Sequence, residues 1–367
     1  MLSYLLLSFS VVVAIQCIYY LLYATIIFEK KSSKEKASTP ISIVICAKNE
    51  AENLVQFLPS ILKQTYEAPF EIVLINDRST DNTLEVMHNF ALHNSHIKIV
   101  NVENCENFWG NKKYALTLGI KAATYEHLIL TDADCKANSN RWLQTISSQF
   151  TNQTKVILGY GAYQKVKFSL LNKLIRYETL LTAIQYFSYA KLGTPYMGVG
   201  RNLAYTKSDF FKVNGFIKHI DIKSGDDDLF INEIASKKNT TYTLAPASYT
   251  TSVPKRTWSS WILQKRRHIS TAKHYKLHHK IGLGLFYSSQ LLFFVLGSLL
   301  LILEEQLQPV YLLIAIRYFV FMLAIGLTSQ KLNEKDLIVS APFTEITLIF
   351  IQLFVFIKNK FSTPTHW

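Results

Sequence analysis

The chain has 367 residues, of which 49% are apolar, and its formal net charge is +13. This pairing is unusual for a soluble protein, and the apolar share excludes a disordered chain, which holds far less. The apolar excess lies in the first 28 residues and in about the last 90, so the middle of the chain is left as one sizeable globular domain.

The first apolar segment, Tyr4 to Phe28, is 25 residues long and uncharged, which is enough to cross a bilayer. A cleavable signal peptide would have a basic start and a shorter apolar core, and neither is present. Positive charges instead follow the segment, at Lys30, Lys31, Lys34 and Lys36. The positive-inside rule therefore predicts an external amino terminus and a cytosolic domain after the span.

Between residues 41 and 244, short β-prone runs alternate with helical patterns. Strands are predicted at Ile41–Cys46, Phe70–Asn76, Ile97–Val102 and His127–Thr131, and helices at Ala51–Lys63, Asn82–Leu92, Lys112–Ala123 and Arg141–Phe150. Such alternation is typical of a mostly parallel sheet with helices on both faces. We therefore expect an α/β fold for this part of the chain.

Polar side chains follow three of these strands directly. Lys48-Asn49-Glu50 follows the first, Asp77 the second, and Asp132-Ala133-Asp134 the fourth. The carboxyl ends of strands in an open α/β sheet form the crevice where ligands bind. Two aspartates one residue apart can offer oxygens to a hard cation such as Mg²⁺ or Mn²⁺. The pair alone is a weak signal, because a solvated turn can have the same sequence pattern. Three polar strand ends together favour a ligand site.

The second half of this region adds a long helix and an acidic turn. Phe168–Leu192 predicts either a core helix or an amphipathic helix on the membrane surface. Asp226, Asp227 and Asp228 then open a helix that extends to Ala235. They could simply cap it, because carboxylates are favoured at a helix start. Three adjacent carboxylates also repel each other, which can raise the pKa of one of them and suit it to act as a general base.

Lys255 to Lys280 contains eight Lys/Arg, four His and no acid, and it includes two tryptophans. A basic, aromatic-bearing helix is typical of a segment that lies on anionic headgroups. Nucleic acid is a competing partner for this charge. We expect the membrane, because an apolar span follows directly and no nucleic-acid-binding module is recognisable.

Three apolar segments close the chain: Ile281–Leu303, Pro309–Thr328 and Leu337–Ile357. Three crossings would leave Lys358 and Lys360 outside, against the positive-inside rule, so the last segment could be interfacial or re-entrant. Arg317 and Glu345 lie inside the second and third segments. Since an unpaired charge in a bilayer is costly, we expect these two side chains to pair.

With these motifs assembled, the chain from about Ile41 to His268 resembles the membrane-bound family 2 glycosyltransferases, which have the GT-A fold and invert the anomeric centre. The resemblance rests on the order of the motifs, from Lys48-Asn49-Glu50 and Asp77 through Lys112 and the D-x-D pair to the acidic turn and Gln264-Lys265-Arg266-Arg267. It departs from the family at two places: His268 stands where Trp is usual, and Gly225 stands where Glu is usual.

The resemblance implies a role for each matching residue. Asp226 is expected to be the general base, with Asp227 beside it, and Asp132 and Asp134 are expected to bind Mg²⁺ or Mn²⁺. Donor or acceptor contacts are implied for Lys48, Asn49, Glu50, Asp77, Lys112, Asp132, Arg201, Asn202, Asp228, Gln264, Arg267 and His268. The resulting prediction is sugar transfer from a nucleoside-diphosphate sugar to the hydroxyl of a lipid-linked or glycan acceptor, with membrane lipids but no nucleic acid as further partners.

The predicted organisation places a multi-pass protein in the cell (inner) membrane with its catalytic domain in the cytosol. Its predicted parts are a transmembrane helix at 1–28, a linker at 29–40, a GT-A domain at 41–250, a basic amphipathic interfacial segment at 251–280, two or three membrane segments at 281–357 and a tail at 358–367. Three alternatives stay open: a processive polysaccharide synthase, an inactive sugar-nucleotide-binding scaffold and a transporter. His268 favours single addition, because the usual tryptophan lines the acceptor site of processive relatives.

Overall fold

The computed structural model describes residues 2–28, 39–103, 112–304 and 306–362, and these form two compact units. The α/β unit comprises Glu29–Val166 and Tyr189–Lys255. The helical unit comprises Met1–Phe28, Lys167–Ser188 and Arg256–Trp367.

The strands of the α/β unit form two sheets. In chain order they are β1 (Ile41–Ala47), β2 (Phe70–Asp77), β3 (Ile97–Val102), β4 (His127–Asp132), β5 (Cys135–Ala137), β6 (Val156–Leu158), β7 (Gly161–Tyr163), β8 (Leu203–Thr206), β9 (Thr240–Tyr242) and β10 (Thr250–Ser252). Seven strands make the main sheet in the order β3-β2-β1-β4-β8-β6-β9, and β5-β10-β7 make a small second sheet. Only β8 runs antiparallel to its neighbours in the main sheet, so the predicted mostly parallel sheet is confirmed.

The helices, in chain order, are α1 (Leu2–Ala24), α2 (Ala51–Leu62), α3 (Thr83–His93), α4 (Lys112–Ala122), α5 (Trp142–Ser147), α6 (Leu170–Lys191), α7 (Lys207–Lys212), α8 (Asp228–Ile234), α9 (Trp258–Thr271), α10 (Leu277–Ile302), α11 (Leu307–Lys331) and α12 (Ala341–Phe361). Four of them, α1, α10, α11 and α12, are long and apolar enough to cross a membrane. The predicted apolar helices at both ends of the chain are thus confirmed.

The core of the α/β unit lies between the main sheet and its helices. β1 reads ISIVICA, and six of its seven residues are buried, because helices cover both faces of the strand. Leu54, Leu58 and Ile61 on one face of α2 pack into the same cluster. The 3.6-residue spacing of these leucines and isoleucines made α2 predictable.

β1 is the point at which the chain changes direction across the sheet. It pairs with β2 on one side and with β4 on the other, and the register places Cys46 beside Asp132. Ligands of open α/β sheets bind at the carboxyl ends of the strands on either side of such a switch point. The fold therefore opens a crevice at the ends of β1 and β4.

In the helical unit, α1 packs between α10 and α11, with Phe9 stacked on Phe293. Arg317 Nη1 donates to Glu345 Oε2 at 2.8 Å, so the predicted pair is confirmed. The Tyr20 hydroxyl also donates to Glu345 at 2.8 Å, and Gln290 Nε2 donates at 3.1 Å. One ion pair therefore joins four helices.

Two sequence predictions differ from the structure in extent. Residues 251–280 do not form one interfacial segment, because Thr250–Ser252 is a strand of the small sheet and α10 begins at Leu277. The basic composition continues across these boundaries, so composition could not reveal them. α5 is also shorter than its predicted range of 141–150, because the chain leaves the helix after Ser147.

Candidate functional site

The acids predicted to bind a ligand lie in the crevice at the switch point. Asp132 is the last residue of β4, and Asp134 follows in the short turn before β5. Lys112 is the first residue of α4, a helix that contacts both β1 and β2. The sheet thus brings together residues that are 20 or more positions apart in the sequence.

Lys112 joins two of the predicted motifs. Its ammonium lies 2.9 Å from Asp132 Oδ1 and 3.1 Å from Asp226 Oδ2. The Lys112, Asp132 and Asp226 side chains are 20%, 32% and 15% exposed. All three are therefore within reach of a ligand, yet they are sheltered enough for their charges to interact strongly.

The acidic turn before α8 requires glycine at its start. Gly225 has a φ of +97°, a conformation that glycine adopts readily and other residues rarely do. A Cβ at this position would lie 2.5 Å from Leu229 Cδ1. The departure from the family's usual glutamate therefore has a local structural cause.

Asp226 and Asp227 have opposite pKa shifts. Burial alone would raise the pKa of Asp226, but the Lys112 ammonium outweighs burial and lowers that pKa below its ordinary value. Burial, followed by the charges of Asp226 and Asp228, raises the pKa of Asp227 to about 7. The expectation that crowding raises the pKa of Asp226 is therefore wrong, because Lys112 pairs with Asp226 and the crowding acts on Asp227.

Asp227 is held by backbone donors. Its Oδ2 accepts from the Gly200 N–H at 2.8 Å, and its Oδ1 accepts from the Asp228 N–H at 2.7 Å. Asp228 is buried, and its Oδ1 accepts from the Leu229 N–H at 2.7 Å. These two carboxylates cap α8 and fix the Gly200 turn against it. Asp226 is the member of the acidic turn that instead faces Lys112.

The ends of β1 and β2 are tied to each other. The Asn49 N–H donates to Ser79 Oγ at 3.0 Å, and Asn49 Oδ1 accepts from the Thr80 N–H at 2.8 Å. Asn49 and Arg78 both have positive φ, at 56° and 53°. Strained backbone of this kind is concentrated at functional sites, and here it shapes the rim of the crevice. Lys48 is exposed beside it.

Two acids lie deeper beside this rim. Asp77 is 4% exposed, and its Oδ1 accepts from Arg78 Nε at 3.0 Å and Arg78 Nη2 at 2.6 Å. Arg78 was not predicted as a site residue, although its position after the acidic strand end could have indicated it. Glu50 accepts from Asn53 Nδ2, and burial, together with the charge of Asp132, raises its pKa.

Arg201 and Asn202 follow the Gly200 turn and differ in what they can bind. The Arg201 guanidinium lies 4.2 Å from the centre of the Tyr163 ring, and its charge acts on Asp134. Asn202 is fully buried and donates to the carbonyls of Tyr160 and Ser248 at 2.9 and 2.7 Å. The prediction that Asn202 binds substrate is wrong, because its amide links internal loops.

Lys113 is a second residue that the sequence did not indicate. It is 1% exposed, and its ammonium donates to the carbonyls of His219 and Ile222, the latter at 2.9 Å. Burial lowers the pKa of Lys113 to about 8. The two carbonyls lie just before the acidic turn, so Lys113 holds the approach to that turn while Lys112 holds Asp226. Both lysines appear in the sequence, but only the fold reveals their different contacts.

The residues present fit a hard divalent cation. One ligand atom each from Asp132, Asp134 and Cys135 lies within 4.8 Å of the others. Burial raises the pKa of the Cys135 thiol well above its ordinary value, so the thiol stays neutral and the carboxylate oxygens are the donors. Oxygen donors are those that Mg²⁺ and Mn²⁺ prefer.

Gln264, Arg267 and His268 lie on α9 in the helical unit. Their spacing of three and four residues puts them on one face of that helix. His268 is exposed, and the other two are partly buried. The roles that the resemblance gives them stay predictions.

The fold has a solved counterpart. The chain is similar to the mannosyltransferase PcManGT from Pyrobaculum calidifontis, solved in complex with GDP-Man and Mn²⁺, with a TM-score of 0.60 and 17% identity. The similarity covers 94% of this chain and 99% of that one. Fold and crevice together therefore define a GT-A type α/β domain, as the motifs predicted.

Sequence comparisons give the family. Residues 42–208 match the glycosyl transferase family 2 profile. The chain is 26% identical over 193 residues to the 4,4'-diaponeurosporenoate glycosyltransferase of Staphylococcus haemolyticus, covering 51% of this chain and 49% of that one. It is 38% identical over 94 residues to the poly-beta-1,6-N-acetyl-D-glucosamine synthase of Staphylococcus epidermidis, covering 26% of this chain and 21% of that one. The matches thus span half or less of these relatives' lengths. The predicted family 2 glycosyltransferase resemblance is thus confirmed for residues 42–208.

Proposed function

We propose that this chain transfers a sugar from a nucleoside-diphosphate sugar to an acceptor hydroxyl and inverts the anomeric carbon. The observation that carries the proposal is the position of Lys112 between Asp132 and Asp226. Because one ammonium contacts both carboxylates, the predicted donor site and the predicted base lie close together. The family match supports the reaction class.

On the donor side, Asp132 and Asp134 would hold Mg²⁺ or Mn²⁺. Such a cation, when bound, neutralises the negative charge that develops on a departing diphosphate. Lys112 and Arg201 add positive charge of the protein's own to the same crevice. Asp77 and the rim at Lys48, Asn49 and Glu50 would contact the nucleoside, as the resemblance implies.

On the acceptor side, we assign Asp226 as the general base. The acceptor oxygen forms a bond to the anomeric carbon, the carbon–oxygen bond to the diphosphate breaks with its electron pair, and the hydroxyl proton passes to the Asp226 carboxylate. Both oxygens of Asp227 already accept backbone N–H groups, which favours a supporting role for it. Since Lys112 lowers the pKa of Asp226, an anion that draws Lys112 away would make Asp226 more basic.

The acceptor is proposed to be lipid-linked or a glycan at the surface of the cell (inner) membrane, with the α/β unit in the cytosol. The apolar helices support membrane attachment, and the lysines after α1 support this orientation. The acceptor contacts that the resemblance implies for Gln264, Arg267 and His268 belong to the same proposal. The predicted limits of the transferase, 41–250, belong to this proposal, and so does an interfacial position for the basic helix α9.

A processive synthase is the second candidate, and the similarity to a poly-beta-1,6-N-acetyl-D-glucosamine synthase favours it. His268 in place of tryptophan favours single addition. The test is a screen of nucleotide sugars with purified full-length protein in Mn²⁺, with and without extracted membrane lipids, that measures nucleoside diphosphate released and product length. We expect release from one donor class, stimulated by the lipid extract, and one sugar per acceptor. Polymer products would select the second candidate. Release from no donor would contradict both candidates and leave the inactive scaffold.

A further inference from the structure

The helical unit has two ends, which can be told apart by following the chain. α1 and α10 run antiparallel, because Gln16 Nε2 donates to Ser289 Oγ at 2.6 Å and the Tyr19 hydroxyl donates to the Gly282 carbonyl at 2.7 Å. The end of α1 and the start of α10 therefore lie at the same end of the unit. We call this end, where α1 finishes at Ala24 and α10 begins at Leu277, the proximal face.

α11 leads back to the proximal face. It begins five residues after α10 ends, so its start lies at the opposite end. Arg317 Nη2 donates to Gln16 Oε1 at 3.1 Å, and Phe321 packs on Tyr20 with ring centres 5.2 Å apart. As α11 advances from 317 to 321, its partners on α1 advance from 16 to 20, so the two helices are parallel. α11 thus ends, like α1, at the proximal face.

A fourth crossing by α12 would carry its carboxyl end to the opposite face. With 21 residues and a rise of about 1.5 Å per residue, α12 would separate its ends by about 30 Å. The contacts of α12 with α9 and α10 show where its carboxyl end lies.

The carboxyl end of α12 is bound to α9. Arg266 Nε donates to Asn359 Oδ1 at 2.9 Å, and Asn359 Nδ2 donates back to the Arg266 carbonyl at 2.9 Å. Arg266 Nη2 also donates to Ser362 Oγ at 2.8 Å. α9 ends at Thr271, six residues before α10 begins. These contacts therefore hold the end of α12 beside the start of α10, at the proximal face.

The course of α12 along α10 agrees with this position. Gln290 Nε2 contacts Glu345 at 3.1 Å, and the Tyr287 hydroxyl donates to the Ile349 carbonyl at 3.2 Å. α12 therefore runs antiparallel to α10. From Ile349 to Asn359 is ten residues, or about 15 Å of helix, and from Tyr287 back to Leu277 is also ten residues. Asn359 and Leu277 therefore lie at the same depth.

The chain before α12 is held by α6. Arg176 Nε donates to Glu334 at 3.0 Å, and Arg176 Nη1 donates to Asp336 at 2.7 Å. Glu178, two residues on, accepts from Lys265 of α9 at 2.6 Å. α6 thus links two parts of the unit. One is the connection that follows α11, and the other is the part of α9 that contacts the last turn of α12.

We propose that α12 does not complete a crossing of the membrane: the chain reaches the proximal face at the end of α11 and again at the end of α12, so the segment between these two points re-enters the bilayer from that face. The bilayer crossings are then α1, α10 and α11. This arrangement keeps Lys358 and Lys360 on the side of the other basic segments, in agreement with the positive-inside rule.

The partner of the outward side of α12 is the acyl region of the bilayer. Five of its six exposed large side chains form one stripe with steps of seven, four, three and four residues, and Phe356 lies off it. The five are Phe343, Phe350, Phe354, Ile357 and Phe361. The opposite side holds the buried Glu345, Leu348 and Val355. The Lys358 ammonium lies 5.5 Å from the Phe354 ring centre, so a basic group borders the apolar stripe, as in helices that lie on anionic lipid.

Terminal tags test the number of crossings without altering any contact. One protease-cleavable epitope is fused before Met1 and another after Trp367, and the full chain is digested in sealed vesicles of each orientation. Three crossings put the tags on opposite faces, so each vesicle type should lose one tag and keep the other. Four crossings put both tags on one face. Loss of both tags from the same vesicles would overturn the proposal.

The lipid contact is tested by Phe354→Trp in vesicles that contain brominated phospholipid. We expect bromine to quench the fluorescence added by this tryptophan at least twofold, because position 354 faces acyl chains. Leu348→Trp, on the buried side, is the matched control and should be quenched less. Equal quenching at the two positions, or none at 354, would contradict a lipid-facing stripe.

Discussion

Two groups of opposite charges stand out in this chain, and they differ in how fully the charges are satisfied. Arg317 and Glu345 in the helical unit are 0% and 1% exposed, and Tyr20, Gln290 and Gln16 add hydrogen bonds to the pair. The crevice of the α/β unit instead gathers an excess of carboxylates. They are Asp132, Asp134, Asp226, Asp227 and Asp228.

The difference separates stability from chemistry. A buried pair that solvent does not reach offers no position for a ligand, and breaking it leaves a charge uncompensated. Partly exposed carboxylates that share one ammonium can exchange partners with little loss of free energy. We therefore interpret the membrane pair as structural and the crevice as a binding site for a cation and a phosphorylated donor.

The largest expected effect is the loss of the metal. Chelation, or Asp134→Asn, should lower transfer by about 10³-fold, because several kcal/mol of charge stabilisation is lost and each 1.36 kcal/mol is tenfold. Initial rates of nucleoside diphosphate release with added Mn²⁺ measure this. Glu52→Gln, which changes an exposed acid of α2, is the control and should keep full activity. Activity that survives thorough chelation would show that transfer does not require the metal.

Next in size is the membrane pair. Arg317→Glu or Glu345→Arg alone should destabilise the folded protein by about 3–5 kcal/mol, because each leaves like charges buried. The exchange of both should restore part of the loss. The yield of monodisperse protein in detergent measures it, with Lys280→Gln at an exposed position as control. A double variant no better than the singles would show that pairing is not what the site requires.

Lys113 distinguishes positioning from stability within the crevice. Lys113→Met should lower kcat about tenfold and leave the KM for donor unchanged, because it frees the carbonyls of His219 and Ile222 without touching the Asp132 site. Lys113→Arg, which keeps a donor, should recover part of the rate, and the exposed Lys121→Met on the same helix should have no effect. A KM rise with normal kcat would contradict this role.

The smallest effect is on the pH dependence of stability. Because the pKa of Asp227 is raised in the folded state, to about 7, the folded chain binds more protons than the unfolded chain above the ordinary carboxyl pKa. Stability from this group is therefore lost as pH rises from about 4 to about 7. Asp227→Asn should reduce that decline, by roughly 3 °C in Tm between pH 5 and 8. Parallel Tm curves for the two proteins would contradict the shift.

Much of the α/β fold could be predicted because apolar runs and helical spacing set β1, β2, β3, β4 and their helices within a few residues. The small β5-β10-β7 sheet could not, since strands of three residues are too short to show a period. The start of the apolar helix α10 at Leu277 was also hidden, because composition varies gradually there.

The site was predictable in its acids but not in their partners. Asp132, Asp134 and Asp226 follow strands or open a helix, which the sequence shows. The Lys112 contact that lowers the pKa of Asp226, and the buried bonds of Asn202, arise between residues far apart in the chain. Such contacts depend on the three-dimensional arrangement, and local sequence does not encode them.

The central claim, that Asp226 is the base, is tested most directly by single-turnover transfer with Asp226→Asn and Asp227→Asn side by side, together with donor affinity. Asp226→Asn should lower transfer by roughly 10²-fold or more, the scale of general-base loss, while donor affinity changes little. Asp227→Asn should be milder, because its oxygens serve backbone N–H groups. If Asp227→Asn abolishes transfer and Asp226→Asn retains it, the base is Asp227. If both retain it, the acidic turn only caps α8.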